Sequence, residues 1–200
     1  MIAYKGFNKE LKSILGNGKE ETCSFEIGKT MTEENCKTAR NGFHCCENPF
    51  VCLSYYPMNG SNRFFKVEAA GNIDEDGSER IACTEITLLE EMTPLRLALE
   101  GMLYMVAHPG REKWQQCYSN VQVRPDRAEA KESGHIAIAR GENPMVKGPA
   151  GSILGIIRER GGVIMDAKMF VQKERFSGKW IRLGSDRRRL VGVEDEEEIG

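Results

Sequence analysis

A chain of 200 residues, of which 40% are hydrophobic, has enough apolar material to bury the core of one large domain or of two small ones. Its formal net charge of −2 is close to neutral but conceals a negative first half and a positive second half. No segment approaches the roughly 20 apolar residues of a membrane span, and the opening MIAYKGFNKE lacks the pattern of a signal peptide, so we expect a soluble, cytoplasmic protein.

Several segments of the first half alternate apolar and polar residues, which is typical of half-buried strands. A polar turn separates the last two of these segments, and we expect those two strands to pair. The predicted strands are an initial one that starts at Ile2 and ends near Gly6, followed by Cys23–Ile27, Arg63–Ala69 and Ile81–Leu89.

The stretch Asn41–Tyr56 combines a turn, a short strand and a short helix. Asn48 is a suitable N-cap, and Pro49 suits the first helical position because it has no N–H to satisfy there. His44 lies at the strand end, where it is either a hydrogen-bonded structural residue or part of a pocket. The candidate pocket residues are Tyr4, Phe43, His44 and Tyr55.

The clearest helix is predicted to begin after Thr93, which acts as its N-cap and is followed by Pro94. The helix carries a stripe of Leu, Met and Val side chains and ends at His108–Pro109–Gly110. We expect this stripe to lie against the sheet of the preceding strands. The predicted fold class is therefore α+β, with a mixed N-terminal sheet packed by one amphipathic helix.

The composition changes after Gly110. Residues 111–133 are polar and predict a connector, whereas residues 134–193 predict a small β-rich domain. Short β segments separated by glycines resemble part of a β-roll, and antiparallel strands are expected after them, at Val163–Val171, Lys179–Leu183 and Leu190–Val193. Residues 194–200 are predicted to be an acidic disordered tail, and residues 1–110 form the first domain.

The seven cysteines contain no CxxC pair, and their odd number argues against a disulfide framework. We expect reduced thiols. His44, Cys45 and Cys46 could bind a metal ion only with a distant cysteine, and adjacent cysteines rarely ligate one ion. The sequence therefore predicts neither a metal nor a cofactor.

Two motifs of the first half, IAYKGF and GFHCCENPFVCLSYY, precede the strands RFFKVEAAGNID and RIACTEITL. Together they resemble a domain of unknown function that is common in phages and prophages of Firmicutes, in which an aYKGF start is followed by GFHaCENP. The resemblance covers about residues 1–105, and the later Ala- and Gly-containing segments are similar to the region that often follows this domain. It implies a phage origin and carries no established activity.

The first half is also similar in outline to ADP-ribosyltransferases. Tyr4-Lys5-Gly6 and Gly42-Phe43-His44, with Tyr55, match the outline of that family, and the resemblance implies a catalytic glutamate near Glu85. Such an enzyme needs a carboxylate that stabilises positive charge at the ribose of NAD. This chain has Lys5 where the family has His or Arg, and lysine offers neither the imidazole nor the planar fork for orienting NAD.

The positive charge is concentrated in the second half. Residues 1–100 have a net charge of −5, whereas residues 111–193 have 17 Lys plus Arg against 9 Asp plus Glu, a net charge of +8. Arginine forms forked contacts with phosphate and carboxylate groups and stacks on bases, so we predict that this half binds nucleic acid or an acidic protein surface. The alternative is a solvated basic surface partly neutralised by the tail. The predicted binding residues are Arg158, Arg160, Arg175, Arg182, Arg187, Arg188 and Arg189.

These features favour a protein that acts by binding. The phage resemblance implies an accessory protein, and the expected role is inhibition of a bacterial defence system of the CRISPR type, through a host nuclease or its nucleic acid. The alternatives are an ADP-ribosyltransferase-like enzyme and a structural phage protein.

Overall fold

The computed structural model describes residues 1–13, 24–77, 79–111, 113–118, 120–184 and 190–193. The chain forms two units, divided between Leu97 and Ala98, and each unit is built around its own β-sheet. The described residues contain twelve strands, one α-helix and two short 3₁₀ helices. The expected α+β class is therefore wrong, and the fold is β-rich.

The sheet of the first unit consists of five strands: β1 (Ile2–Phe7), β2 (Thr30–Thr32), β3 (Phe43–Cys46), β4 (Arg63–Glu75) and β5 (Arg80–Met92). β5 pairs with β2, β3 and β4, and β1 pairs with β3 and β4, so that β1, β3, β5 and β4 close into a ring. All of these strand pairings are antiparallel, and the expected mixed sheet is wrong. The expected pairing of β4 with β5 is confirmed.

Aromatic side chains fill the inside of this ring because alternate residues of each strand point inward. Phe7 of β1 and Phe65 of β4 are fully buried, and their rings meet edge to face at 5.7 Å. Phe25 packs against Phe7, with ring centroids 4.8 Å apart. The strand predicted at Cys23–Ile27 is not formed in its described part, which makes one isolated bridge, at Ile27. Cys23 lies outside the described residues. Each such side chain contributes about 1.5–3 kcal/mol by burial, so this cluster holds the ring together.

The second unit contains the seven other strands: β6 (Gln116–Cys117), β7 (Val121–Glu129), β8 (Ile136–Lys147), β9 (Ile153–Arg160), β10 (Val163–Val171), β11 (Trp180–Leu183) and β12 (Leu190–Val193). β7, β8 and β9 are parallel, and Ile136 stands opposite both Val121 and Ile153. The remaining pairings are antiparallel, and the predicted strands corresponding to β10, β11 and β12 are confirmed. Residues 111–133, predicted as a connector, contain β6 and β7.

The predicted helix is present as α1 (Pro94–Ala107), and Thr93 Oγ1 accepts a hydrogen bond from the Arg96 N–H at 3.2 Å, as expected for its N-cap. Its expected position on the first sheet is wrong. From Ala98 onward the helix belongs to the second unit. In that unit Met102 of the helix lies close to β9, because a Cβ added to Gly155 of this strand would be only 3.1 Å from Met102 Sδ. None of the helices in the described residues has the length and apolarity needed to cross a membrane.

Candidate functional site

A pocket of about 320 Å³ lies in the first unit, beside the point where Tyr4 of β1 pairs with Cys46 of β3. Tyr4, His44 and Tyr55, three of the four predicted pocket residues, line this pocket. Phe43 is instead buried in the aromatic core, where its ring meets that of Phe25 edge to face at 5.7 Å.

A 3₁₀ helix, Pro49–Ser54, forms one wall of the pocket. Asn48 Oδ1 accepts a hydrogen bond from the Phe50 N–H at 3.0 Å, so the predicted N-cap, with Pro49 at the first position, is confirmed. The chain that follows packs tightly on β1. A Cβ built on Gly6 would lie only 2.5 Å from Cδ2 of Tyr56, so glycine at this position lets the tyrosine lie directly on the strand.

His44 holds the turn that precedes β3. Its Nε2 accepts a hydrogen bond from the Ala39 N–H at 3.0 Å, and Ala39 itself has a positive φ of 62°. Burial, and after it the nearby charge of Lys5, lower the pKa of His44 below its usual value, because both disfavour the imidazolium. His44 is therefore a neutral acceptor that also forms part of the pocket wall.

Replacing His44 with Ala is expected to lower the free energy of unfolding by about 1 kcal/mol at pH 7.5, the usual contribution of one hydrogen bond. Because the folded-state pKa of His44 is lowered, its contribution is complete above the unfolded pKa of about 6.5 and decreases as the pH falls below that value. Urea unfolding at several pH values between about 5 and 8 measures both effects. An identical pH dependence in the variant and the parent would contradict this assignment.

Lys5 is the most unusual residue of the pocket. It is 7% exposed, and its Nζ donates a hydrogen bond to the His44 carbonyl at 2.8 Å. The same ammonium lies 5.2 Å from the ring centroid of Phe7 and 5.7 Å from that of Phe25. Two further cations, Arg40 and Arg80, line the pocket, whereas its described lining contains no carboxylate. Arg80 pairs with Asp76, so the excess positive charge of the described lining comes from Lys5 and Arg40.

Two thiols that line the pocket, those of Cys45 and Cys52, are held in their protonated form. A hydrogen bond with Cys83, and then burial, raise the pKa of Cys45, and a hydrogen bond with Cys46, and then burial, raise that of Cys52. Protonated thiols are poor nucleophiles and poor metal ligands. In the part of the chain that the structure describes, no group of three or more His, Cys, Asp or Glu side chains is arranged to hold a metal ion.

The glutamate required by the outline of an ADP-ribosyltransferase does not line this pocket. Glu85 lies on β5, opposite Thr32 of β2 and Ala70 of β4. Lys5, which stands where that family orients NAD, does line the pocket, whereas Glu85 is not among the residues described around it.

A second candidate site lies on the second unit, on the face of β7, β8 and β11 that points away from their core. Ala128, Val146 and Ile181 are buried in that core, and Val146 stands opposite both Ala128 and Ile181. Because strand residues alternate, the positions flanking these three project from the opposite face. We call this surface the basic face; its cationic and aromatic members are Arg127, Lys147, Trp180 and Arg182.

Trp180 lies at the centre of the basic face. The Arg127 guanidinium carbon and the Lys147 Nζ each lie 5.5 Å from the centroid of its ring, within the range of cation–π attraction. Two depressions, with volumes of about 430 and 290 Å³, lie next to the basic face along β7. Arg124 and Arg127 line both of them. Glu129 is the only carboxylate among the residues described around them.

The predicted binding arginines are distributed differently from what the charge count suggested. Arg182 belongs to the basic face, and with Arg158 it also lines a depression of about 360 Å³. Arg158 is paired with Asp166, Arg160 is paired with Glu142, and Arg175 lies over the ring of Phe176. Arg187, Arg188 and Arg189 lie outside the described residues, as does the acidic tail.

Sequence reasoning missed Trp180, Arg124, Arg127 and Lys147 as members of one site. The available signal was the alternation Trp-Ile-Arg-Leu in β11, which places Trp180 and Arg182 on the same face of a strand. The pairing partners of that strand could not be obtained from the alternation.

Comparison with curated proteins and comparison with solved structures both gave no match. A family model described as a domain of unknown function, DUF7666, matches residues 1–100, half of the chain. The expectation that the first half is a domain of unknown function is confirmed. The chain belongs to the DUF7666 family.

Proposed function

We propose that the protein acts by binding and that the basic face of its second unit binds single-stranded nucleic acid. The observation that carries this proposal is that Trp180 lies beside two cations, the Arg127 guanidinium and the Lys147 ammonium, each 5.5 Å from its ring centroid. An aromatic ring stacks on a base, and flanking cations contact the phosphates on either side of it.

The charges of the basic face favour a polyanion as the partner. Arg127 and Arg182 are exposed, and no ion pair is described for either side chain, whereas Arg158 and Arg160 are paired with carboxylates of the same sheet. Unpaired cations release counterions when they contact phosphates, and this release drives nucleic-acid binding. The basic face is therefore a better candidate for phosphate contact than the arginines of β9.

The wider proposed role is that of a phage accessory protein that inhibits a defence nuclease of the CRISPR type in the bacterial cytoplasm. It is supported by the resemblance of the first half to a domain common in phages and by a surface that could compete for the nucleic acid of a nuclease. Cleavage of a guided target in the presence and absence of the protein tests this role, and undiminished cleavage at saturating protein would contradict it.

The binding proposal is tested by fluorescence anisotropy with a labelled single-stranded oligonucleotide. Trp180→Ala is expected to weaken binding about tenfold, since stacking contributes about 1–3 kcal/mol per base. Raising the salt from about 50 to about 200 mM is expected to weaken binding by about 20-fold if three phosphates are contacted. The combined variant Arg127→Gln, Lys147→Gln, Arg182→Gln should remove most of this salt dependence.

Arg160→Gln is the matched control, because Arg160 is an exposed arginine of the same unit that is already paired with Glu142. It should leave the affinity and the salt dependence nearly unchanged. Affinity that does not respond to salt, to Trp180→Ala or to the combined variant would exclude the basic face as the nucleic-acid interface.

A further inference from the structure

In the pocket of the first unit, no carboxylate among the described residues pairs with the buried positive charge of Lys5. Lys5 is 7% exposed, and its ammonium has one hydrogen bond, to the His44 carbonyl, and two aromatic neighbours. No carboxylate is described as a partner of this group. A buried ammonium is normally paired with an anion, because removing it from water is costly. The carbonyl and the rings compensate only part of that cost.

The surroundings of Lys5 add positive charge instead of neutralising it. Arg40 and Arg80 line the same pocket, and although Arg80 pairs with Asp76, no ion pair is described for Arg40. Ser13 provides an independent observation. It also lines the pocket, it is 6% exposed, and its buried Oγ has no hydrogen-bond partner among the residues that the structure describes. An anion in the pocket would supply the missing acceptor for the ammonium and for this hydroxyl.

The other walls of the pocket are suited to a flat apolar group. Tyr4, Tyr55 and Tyr56 contribute aromatic surface, and Cys46 and Cys52 contribute small buried side chains. A volume of about 320 Å³ is at the lower end of the range for small-molecule sites, which is roughly 300–1,000 Å³. We propose that this pocket binds a small organic anion that consists of a planar ring bearing a phosphate or carboxylate group.

In this arrangement the anionic group pairs with Lys5 and the two arginines, and the ring packs on the tyrosines. The proposal concerns the first unit, which the family model matches, and it is independent of nucleic-acid binding by the second unit. The two proposals can fail separately.

The test uses the full chain labelled with ¹⁵N and titrated with phenyl phosphate, benzoate, inorganic phosphate and phenol. Phenyl phosphate or benzoate is expected to cause saturable shifts of the Tyr4, Lys5 and His44 amide resonances. The compound with the lower dissociation constant identifies the preferred anionic group. Inorganic phosphate and phenol should each bind at least about tenfold more weakly, because each lacks one half of the recognised structure.

Arg40→Gln and Arg80→Gln are each expected to weaken binding of the better ligand about tenfold. The matched control is Lys29→Gln, which removes an exposed cation of the same unit that does not line the pocket and should not change the affinity. Lys5→Met removes the buried charge at similar side-chain length. It should abolish binding and raise the melting temperature, because an uncompensated ammonium is no longer buried.

Three results would overturn the proposal: the absence of saturable shifts up to about 20 mM of both organic anions, binding of phenol as tight as that of phenyl phosphate, or unchanged affinity in both arginine variants. If Lys5→Met fails to fold, the arginine variants decide the outcome, because their side chains lie at less buried positions.

Discussion

Arg140→Ala is expected to lower the free energy of unfolding of the second unit by about 3–5 kcal/mol, the usual cost of removing one partner from a buried ion pair. Arg140 is 3% exposed, and its Nε donates a hydrogen bond to Glu159 Oε2 at 2.7 Å. Its Nη2 donates to the Pro109 carbonyl at 2.5 Å, and the guanidinium lies 5.2 Å from the ring centroid of Trp114. The truncation leaves a half-buried carboxylate, a carbonyl without its donor and a cavity. Urea unfolding measures the loss.

Two comparisons separate the charge of Arg140 from its volume. The double variant Arg140→Met, Glu159→Gln removes both charges while keeping most of the volume, so it should lose less stability than Arg140→Ala. Arg160→Ala breaks the exposed pair with Glu142 and is expected to change stability by no more than about 0.5 kcal/mol. A loss for Arg140→Ala as small as that for Arg160→Ala would show that the buried pair does not stabilise this unit.

Gly6→Ala is expected to lower the free energy of unfolding of the first unit by about 1–3 kcal/mol, as overpacking of a tight contact does. The new Cβ would lie 2.5 Å from Cδ2 and 2.8 Å from Cγ of Tyr56, which is itself only 7% exposed. The tyrosine must therefore move away from β1, and the pocket wall that it forms moves with it. We expect the variant to lose affinity for the small aromatic anion as well as stability.

Gly110→Ala is the control for this substitution, because a Cβ at Gly110 would meet no atom within 4 Å. It should be neutral or stabilising by about 0.4–1 kcal/mol, since alanine restricts the unfolded chain. Stability of Gly6→Ala equal to that of the parent would mean that Tyr56 does not lie on β1 as described.

The sequence alone predicted the helix caps and several of the strands, because these features depend on residues that are close together in the chain. The N-cap and first-position proline of α1, the N-cap at Asn48, and the alternation in β1, β4 and β5 were all recognisable because capping and alternation act over only a few residues. The same local signals indicated a pocket near His44, since a strand end, a turn and a helix start lie within the sixteen residues Asn41–Tyr56.

Only the tertiary structure decided which elements meet. An apolar helix stripe shows that a face is buried but not which sheet covers it, so the sequence could not assign α1 from Ala98 onward to the second unit. The closure of β1, β3, β5 and β4 into a ring, the inclusion of β7 in a sheet, and the approach of Arg127 and Lys147 to Trp180 depend on strand pairing. Pairing joins residues far apart in the chain, and alternation, which has a period of two, specifies the face of a residue without specifying its partner.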